Sequence, residues 1–269
     1  MTGVPRNFVI LFTPRCGSTL LSADLSRNKL GIVYEMFHNL SHVFLKDDNS
    51  LLRRDLDWNE YQEAMDAYRI NGIFGTKINY TSAISLDAYI SRGRPLGAGL
   101  VEVFGKEAVV ICMYRADVVG QALSLYEASA TGKWSEEAPT EDELAALYDM
   151  EPEDLWWIIQ ARVNEISREN LYIEMLVRAA GFSNVTKIRH EDHIFDREGS
   201  IAGVAGMLGV AVNDVVLSSR AKARNSKRTL LHRAFTRAAL SPVYRDFVID
   251  NRVPKSFVDE VRDDYGNRL

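Results

Sequence analysis

Seven residues constrain this chain more than any others. Segment 13–19 reads TPRCGST; it follows directly on the apolar run 8–12 (FVILF) and opens a helical pattern that continues to Arg27. An unbroken β-branched and aromatic run is the signature of a strand covered on both faces of a parallel sheet, and Pro14 ends it. Where such a strand turns into a helix, the helix N-terminus and several backbone N–H groups converge on one point and favour an anion. Gly17 lets the backbone approach closely, Ser18 and Thr19 offer hydroxyls, and Arg15 adds a planar, permanent cation. Read structurally, Ser18 would only cap the helix and Arg15 would only decorate the surface, which leaves the combination of residue types without a reason.

The pattern recurs downstream. Apolar runs at 72–78 (GIFGTKI), 108–114 (AVVICMY) and, more weakly, 184–188 (NVTKI) alternate with helical stretches at 59–69, 117–129 and 152–179. Alternation at this spacing predicts an α/β, P-loop-like three-layer fold with a central, mostly parallel sheet flanked by helices. With 269 residues the chain has room for one large domain or two small ones. The spread of the motifs favours a single domain over 1–269, carrying a helical and acidic insert at about 131–180.

Charge is unevenly distributed. The net charge is -5 and the pI about 5.6, which argues against indiscriminate nucleic-acid binding. Segment 135–154 holds nine acidic residues, no basic one and two prolines, and reads as a polar insert between helices. Segment 218–244 holds Arg220, Lys222, Arg224, Lys227, Arg228, Arg233 and Arg237 with no Asp or Glu. Such a run is either a solvated helix face or an anion clamp. Two cysteines, Cys16 and Cys112, make neither a disulfide framework nor a Cys-rich zinc site, so a reducing, cytoplasmic setting is expected. The N-terminus lacks the charged start, long apolar centre and small-residue cleavage site of a signal peptide. No window reaches the roughly 20 apolar residues of a membrane span.

A nucleotide triphosphatase would need G-x-x-x-x-G-K-[ST], with Lys on the phosphates and the hydroxyl on magnesium. Here Gly17 precedes Ser18 and the first lysine is Lys29, so the loop suits an anion without the lysine and metal of a kinase. No metal is expected.

At this point the residues resemble a known family. Segment 13–19 is similar to the 5′-phosphosulfate loop of sulfotransferases that use 3′-phosphoadenosine-5′-phosphosulfate (PAPS), x-P-R-S-G-S/T-[ST], with Cys16 in place of the commoner Ser. Segment 115–124 (RADVVGQALS) resembles the 3′-phosphate motif, in which an Arg at a strand end and a Ser on the next helix hold the nucleotide. The closer resemblance is to the Stf0-type bacterial sulfotransferases. Their R-R-D-x-x-x-Q-A-V-S-L and T-G-x-W elements match Arg115, Asp117, 121–125 (QALSL) and 131–134 (TGKW), with Ala116 departing from the second Arg. Their G-x-P-x-E-Y-F element matches 31–37 (GIVYEMF) with Val33 for Pro, and G-x-K matches Gly75 and Lys77. These motifs span about 8–134; beyond them 190–192 (HED) is similar to a Y-E-D turn.

The resemblance implies a PAPS-dependent sulfotransferase that acts on a hydroxyl of a carbohydrate or glycolipid by in-line displacement, with Glu35 as general base. His38, three residues on, is the rival base. Arg15 and Lys77 would neutralise developing charge, Lys77 standing at the C-terminal strand edge where α/β proteins place ligands. Arg15, Cys16, Gly17, Ser18, Thr19, Arg115, Ser124 and Arg224 would hold the donor; Tyr34, Phe37, His38 and Trp134 would line the acceptor site. A cytoplasmic homodimer with its contact near the insert follows by analogy. The alternatives are a P-loop kinase with a degenerate loop and a non-catalytic nucleotide-binding protein.

Overall fold

Four apolar runs become four parallel strands: β1 (Arg6–Phe12), β2 (Ile73–Asn79), β3 (Val109–Tyr114) and β4 (Asn184–Arg189), in spatial order β2-β1-β3-β4. The computed structural model describes residues 6–38, 58–134, 139–219, 226–240 and 253–266. Their helices are α1 (Ser18–Arg27), α2 (Trp58–Ala67), α3 (Tyr80–Ser91), α4 (Ala98–Phe104), α5 (Val118–Thr131), α6 (Glu141–Leu147), α7 (Pro152–Ala180), α8 (His190–Phe195), α9 (Arg197–Met207), α10 (Ser226–Ala239) and α11 (Lys255–Gly266). The expected α/β architecture, a central parallel sheet with flanking helices, is what the chain forms.

The chain divides into two compact units, Met1–Ala116 with Arg168–Arg220, and Asp117–Ser167 with Ala221–Leu269. The first contains the sheet. Alternate residues of β1 point to opposite faces, so Val9 and Leu11 pack with Leu86, Leu100 and Phe104, while Phe8, Ile10 and Phe12 pack with Leu21, Leu25 and Val204. Burial on both faces explains why β1 and β3 are apolar almost throughout, whereas β4, at the sheet edge, alternates between half-buried and exposed residues. Because the strands are parallel, Phe12, Asn79, Tyr114 and Arg189 all finish at one edge, and loops arriving there share a neighbourhood.

The second unit is helical, with a core of Trp156 stacked on Phe235 at 4.4 Å and edge-on to Phe257 at 5.1 Å. Within the acidic stretch the chain is helical. Thr140 and Glu143 form a reciprocal capping box that starts α6, and Tyr148 at its end is fully buried, donating to Glu127 Oε1 at 2.7 Å. Three carboxylates in the first turn, Glu141, Asp142 and Glu143, face a helix N-terminus, where negative charge is favourable.

One buried polar cluster ties α1 to the far end of the first unit. Asp24, with no solvent exposure, receives Arg197 Nε at 2.8 Å, Arg197 Nη2 at 2.5 Å, and Ser218 Oγ and backbone N–H at 2.6 and 2.8 Å. His193 Nε2 lies 3.3 Å from the same carboxylate. Burial by itself would raise the Asp24 carboxyl, but the hydrogen bonds from Arg197 and Ser218 and the guanidinium charge outweigh it and hold it below its ordinary value. Burial pushes His193 down despite Asp24, so its ring is neutral in the folded protein.

Two outcomes follow from this cluster. Arg197→Met leaves a buried carboxylate without its cation and should cost about 3–5 kcal/mol, read from denaturant midpoints. For pH, the unfolded chain protonates its histidine near about 6.5, before folded His193 does, so stability is complete above that pH and declines as pH falls below it. Asp24, also depressed, extends the loss into the carboxylate range. His193→Asn should flatten the stability curve as pH falls below about 6.5; an unchanged slope there would place the acid sensitivity elsewhere.

Candidate active site

The phosphate-loop candidate sits at the carboxyl end of β1. Thr13 is fully buried, its hydroxyl donating to Asn170 Oδ1 at 3.3 Å, and the next residues turn tightly, with Cys16 N–H reaching the Thr13 carbonyl at 3.4 Å. Arg15 (φ 65°) and Gly17 (φ 93°) both take the left-handed conformation. Gly17 is the N-cap of α1 and brings no side-chain hydrogen bond to it, so no protein side chain at the cap position competes for the first N–H groups of the helix. A Cβ at Gly17 would stand 2.1 Å from His190 Nδ1, so glycine is required both by backbone conformation and by the imidazole against the loop. The Cys16 side chain is fully buried on the α1 side of the sheet with Phe8 and Leu21, and burial pushes its thiol up to about 11. The Cys16 thiol packs in this core and meets the Ser18 backbone and hydroxyl.

Segment 31–38 lies along β2. Tyr34 bridges Thr76, its carbonyl accepting from Lys77 N–H at 3.1 Å and from the Thr76 hydroxyl at 2.7 Å. Gly31 (φ 87°) makes this approach possible, because a Cβ there would be 2.9 Å from Gly75 N. Phe37 anchors the segment from below. It is 1% exposed and meets Phe104 edge-on at 6.1 Å, so the expected acceptor contact is replaced by a core role. The backbone thus presents Glu35 and Lys77, from two different segments, to the same place.

Lys77 Nζ receives no freedom there. It donates to Thr19 Oγ1 at 3.1 Å, lies 3.5 Å from Glu35 Oε2, and stands 5.3 Å above the Phe12 ring. Glu35 Oε1 accepts from Asn79 Nδ2 at 3.1 Å and lies 3.4 Å from His38 Nδ1. Glu35 and His38 meet through a single turn, His38 N–H to Glu35 carbonyl at 3.1 Å, rather than through a helix. Tyr34 is 59% exposed and stacks on Tyr68 at 6.3 Å, leaving an aromatic face beside the carboxylate.

Arg115 leaves the end of β3 and lies 4.0 Å from Glu191 Oε1, while Glu191 Oε2 accepts from Ala116 N–H at 3.0 Å. The first residues of α8, directly after β4, thus supply His190 to the loop and Glu191 to Arg115. Asp117 caps α5, accepting from Gly120 N–H at 2.8 Å, and meets His232 Nε2 at 2.6 Å. Ser124, buried on α5, and exposed Trp134, beyond the α5 C-cap Gly132, belong to the second unit. Of the basic run, Arg220, Lys222 and Arg224 lie outside the described residues, and Lys227 and Arg228 fall in α10. Arg237 pairs with Glu260 at 3.2 Å, a surface ion pair. Among the described residues no group of three His, Cys, Asp or Glu side chains is arranged to hold a metal, and no helix is long and apolar enough to cross a membrane.

Asn79, His190 and Glu191 were not singled out as site residues from the sequence. Asn79 carried a signal, since it immediately follows the apolar strand run and precedes Ser82 by three, a helix-start spacing. His190 and Glu191 carried the likeness of 190–192 to a Y-E-D turn, which named no partner for either.

Among solved structures the fold is similar to that of a sulfotransferase from Alicyclobacillus acidocaldarius, with 15% identity, a TM-score of 0.52, and coverage of 95% of this chain and 99% of that one. A sulfotransferase domain from the Synechococcus PCC 7002 olefin synthase also matches, with 15% identity, a TM-score of 0.36, and coverage of 90% and 83%. At such identity the first likeness establishes the fold. No curated protein matches the chain in sequence. The family model for Stf0 sulphotransferases matches residues 7–154, more than half of the chain and the whole stretch from β1 through the phosphate loop, Glu35, Lys77 and Arg115. That match selects sulfuryl transfer over the kinase and non-catalytic readings, and by it the chain belongs to the Stf0 sulphotransferase family.

Proposed function

We propose that this protein transfers a sulfuryl group from PAPS to a hydroxyl of a carbohydrate or glycolipid, with Glu35 as the general base. The observation that carries the reading is the position of Lys77, whose ammonium lies within 3.1 Å of Thr19 in the phosphate loop and 3.5 Å of the Glu35 carboxylate. Anion loop, cation and carboxylate are therefore linked in one unit of structure.

The residues present suit an anion: the N-terminus of α1 with Gly17 at its cap, the Thr19 hydroxyl, and the cations Arg15 and Lys77. In the reaction the acceptor oxygen forms a new bond to sulfur while the bond from sulfur to the phosphate oxygen breaks. The acceptor proton passes to Glu35, and the bond electrons leave with the phosphate of adenosine 3′,5′-bisphosphate. Lys77 and Arg15 stabilise negative charge on that departing oxygen, a contribution strongest in the transition state. Lys77 also faces Glu35, so the cation that meets the leaving phosphate lies beside the carboxylate that takes the acceptor proton. Arg115, with Ser124 and Arg224, is assigned to the 3′-phosphate, which separates PAPS from ATP. Tyr34, His38 and Trp134 are assigned to the acceptor; exposed aromatic faces suit the apolar faces of sugar rings. The same reading takes residues 1–269 as one domain, acting as a cytoplasmic homodimer, in line with the family resemblance.

Calorimetric titration with adenosine 3′,5′-bisphosphate, adenosine monophosphate and ATP with magnesium tests the donor assignment. The bisphosphate should bind tightest, and Arg115→Ala should weaken it by about 10- to 100-fold while leaving the monophosphate nearly unchanged. Preference for ATP with magnesium would sink the assignment. Glu35→Gln should retain bisphosphate affinity and lose about 100- to 10,000-fold in turnover of PAPS; wild-type turnover would remove Glu35 from the mechanism.

A further inference from the structure

We infer that Asn79 is a positioning residue for the base, holding the Glu35 carboxylate from the N-terminus of α3. The inference rests on the reading of Glu35 as the base. Its physical ground is that the Asn79 amide has two different ends, and the structure uses each for a different task. Oδ1 accepts the Ser82 backbone N–H at 2.8 Å, closing the first turn of α3. Only an oxygen can do this, so the amide cannot be turned around, and Nδ2 is left pointing at Glu35 Oε1 at 3.1 Å. The backbone of Asn79 is fixed too, since it is the last residue of β2, in register with Phe12 of β1.

A carboxylate acting as base has to remain in place while the charges around it change. Among the described residues three side chains face Glu35: Lys77 at 3.5 Å, His38 at 3.4 Å and Asn79 at 3.1 Å. Lys77 is shared with Thr19 of the phosphate loop, so an incoming phosphosulfate draws its ammonium away from the carboxylate. His38 is more than half exposed, with a side chain that water reaches easily. Asn79 alone among the three is anchored to a helix cap, and it is neutral. It therefore keeps hold of Oε1 when Lys77 turns to the donor, and leaves Oε2 for the acceptor proton. Precise placement of a base by a rigid neighbour matters to the rate because small displacements from the attack geometry are costly.

Two substitutions separate this role from helix capping. Asp and Ser are as good at an N-cap as Asn, so Asn79→Asp and Asn79→Ser keep α3 closed while removing the N–H donor to Glu35. The readouts are thermal midpoint, affinity for adenosine 3′,5′-bisphosphate, and release of that product from PAPS with trehalose, or water by default, as acceptor. Both variants should keep the wild-type midpoint and bisphosphate affinity and lose about 10- to 100-fold in kcat with little change in KM for PAPS. In Asn79→Asp the acidic limb of the pH–rate profile should also move to higher pH, because a second carboxylate now faces the first. An activity-independent signature is the Asn79 side-chain amide resonance, identified by its disappearance in Asn79→Ser. It should shift with pH in the wild type and cease to do so in Glu35→Gln, which leaves His38 as the control.

Wild-type kcat and an unchanged profile in both variants would overturn the inference, as would losses that track an equal fall in thermal midpoint. In the Glu35→Gln background, Asn79→Ser should cost nothing further; a full multiplicative loss would also overturn it. Wild-type turnover in Glu35→Gln alone is a different failure, which removes the base itself rather than its mount.

Discussion

A lysine near the end of a parallel strand covered on both faces has few places to put its charge. Leaving the ammonium among apolar side chains would cost several kcal/mol, so the stem must run to the carboxyl edge of the sheet and the head must find an anion or water there. Lys77 does this, with its stem past Phe12 and its head between Thr19 and Glu35. Much of the surrounding geometry follows from that one placement. The phosphate loop must come close enough for its hydroxyl to accept, and segment 31–38 must lie along β2 for its carboxylate to reach. The close approach of Gly31 to Gly75, and the bridge from Tyr34 to Thr76, are the backbone means of doing so.

Parallel strands make such a convergence available to distant parts of the chain. Residues 15, 35, 77, 115 and 190 are separated by long helices in sequence, yet each leaves or flanks the same edge of the sheet. The edge is stiffened from behind by the cluster of Asp24, Arg197, Ser218 and His193. It joins α1, which starts at the loop, to residues about 170–195 positions later. A loop that must present left-handed backbone at Arg15 and Gly17 gains from a helix that cannot shift under it.

What the sequence disclosed, and what it hid, sort by range. Strands buried on both faces read as apolar runs, and the loop was legible because glycine, hydroxyls and arginine follow one of them at once. Helix α3 was not, since Tyr80–Ser91 is apolar on most sides and shows little helical periodicity; only Asn79 with Ser82 marked its start. The capping box of Thr140 and Glu143 was present as a local pattern, but the dense negative charge around it reads as solvated loop unless the cap is weighed first. Phe37 and Cys16 lie beside functional positions and look functional by adjacency, whereas successive side chains point in different directions and these two point into the core. Pairs such as Asp24 with Arg197, or Arg115 with Glu191, have no local signature at all, because only the closed sheet brings them together.

Those long-range pairs also bear on how an anion is received. Arg115 faces Glu191 and Lys77 faces Glu35, so each of these cations already has a carboxylate partner from another segment of the chain. Binding a doubly anionic nucleotide there is an exchange of one counter-ion for another rather than the filling of a bare positive hole. Such an exchange gives up part of the affinity that naked charge would supply, since the internal pairs must be loosened. In return it favours ligands that place two anionic groups at the right separation, because a single anion can displace only one carboxylate. On the proposed reading it also couples donor to base: a phosphosulfate that draws Lys77 from Glu35 would loosen the carboxylate from its cation as the acceptor hydroxyl arrives.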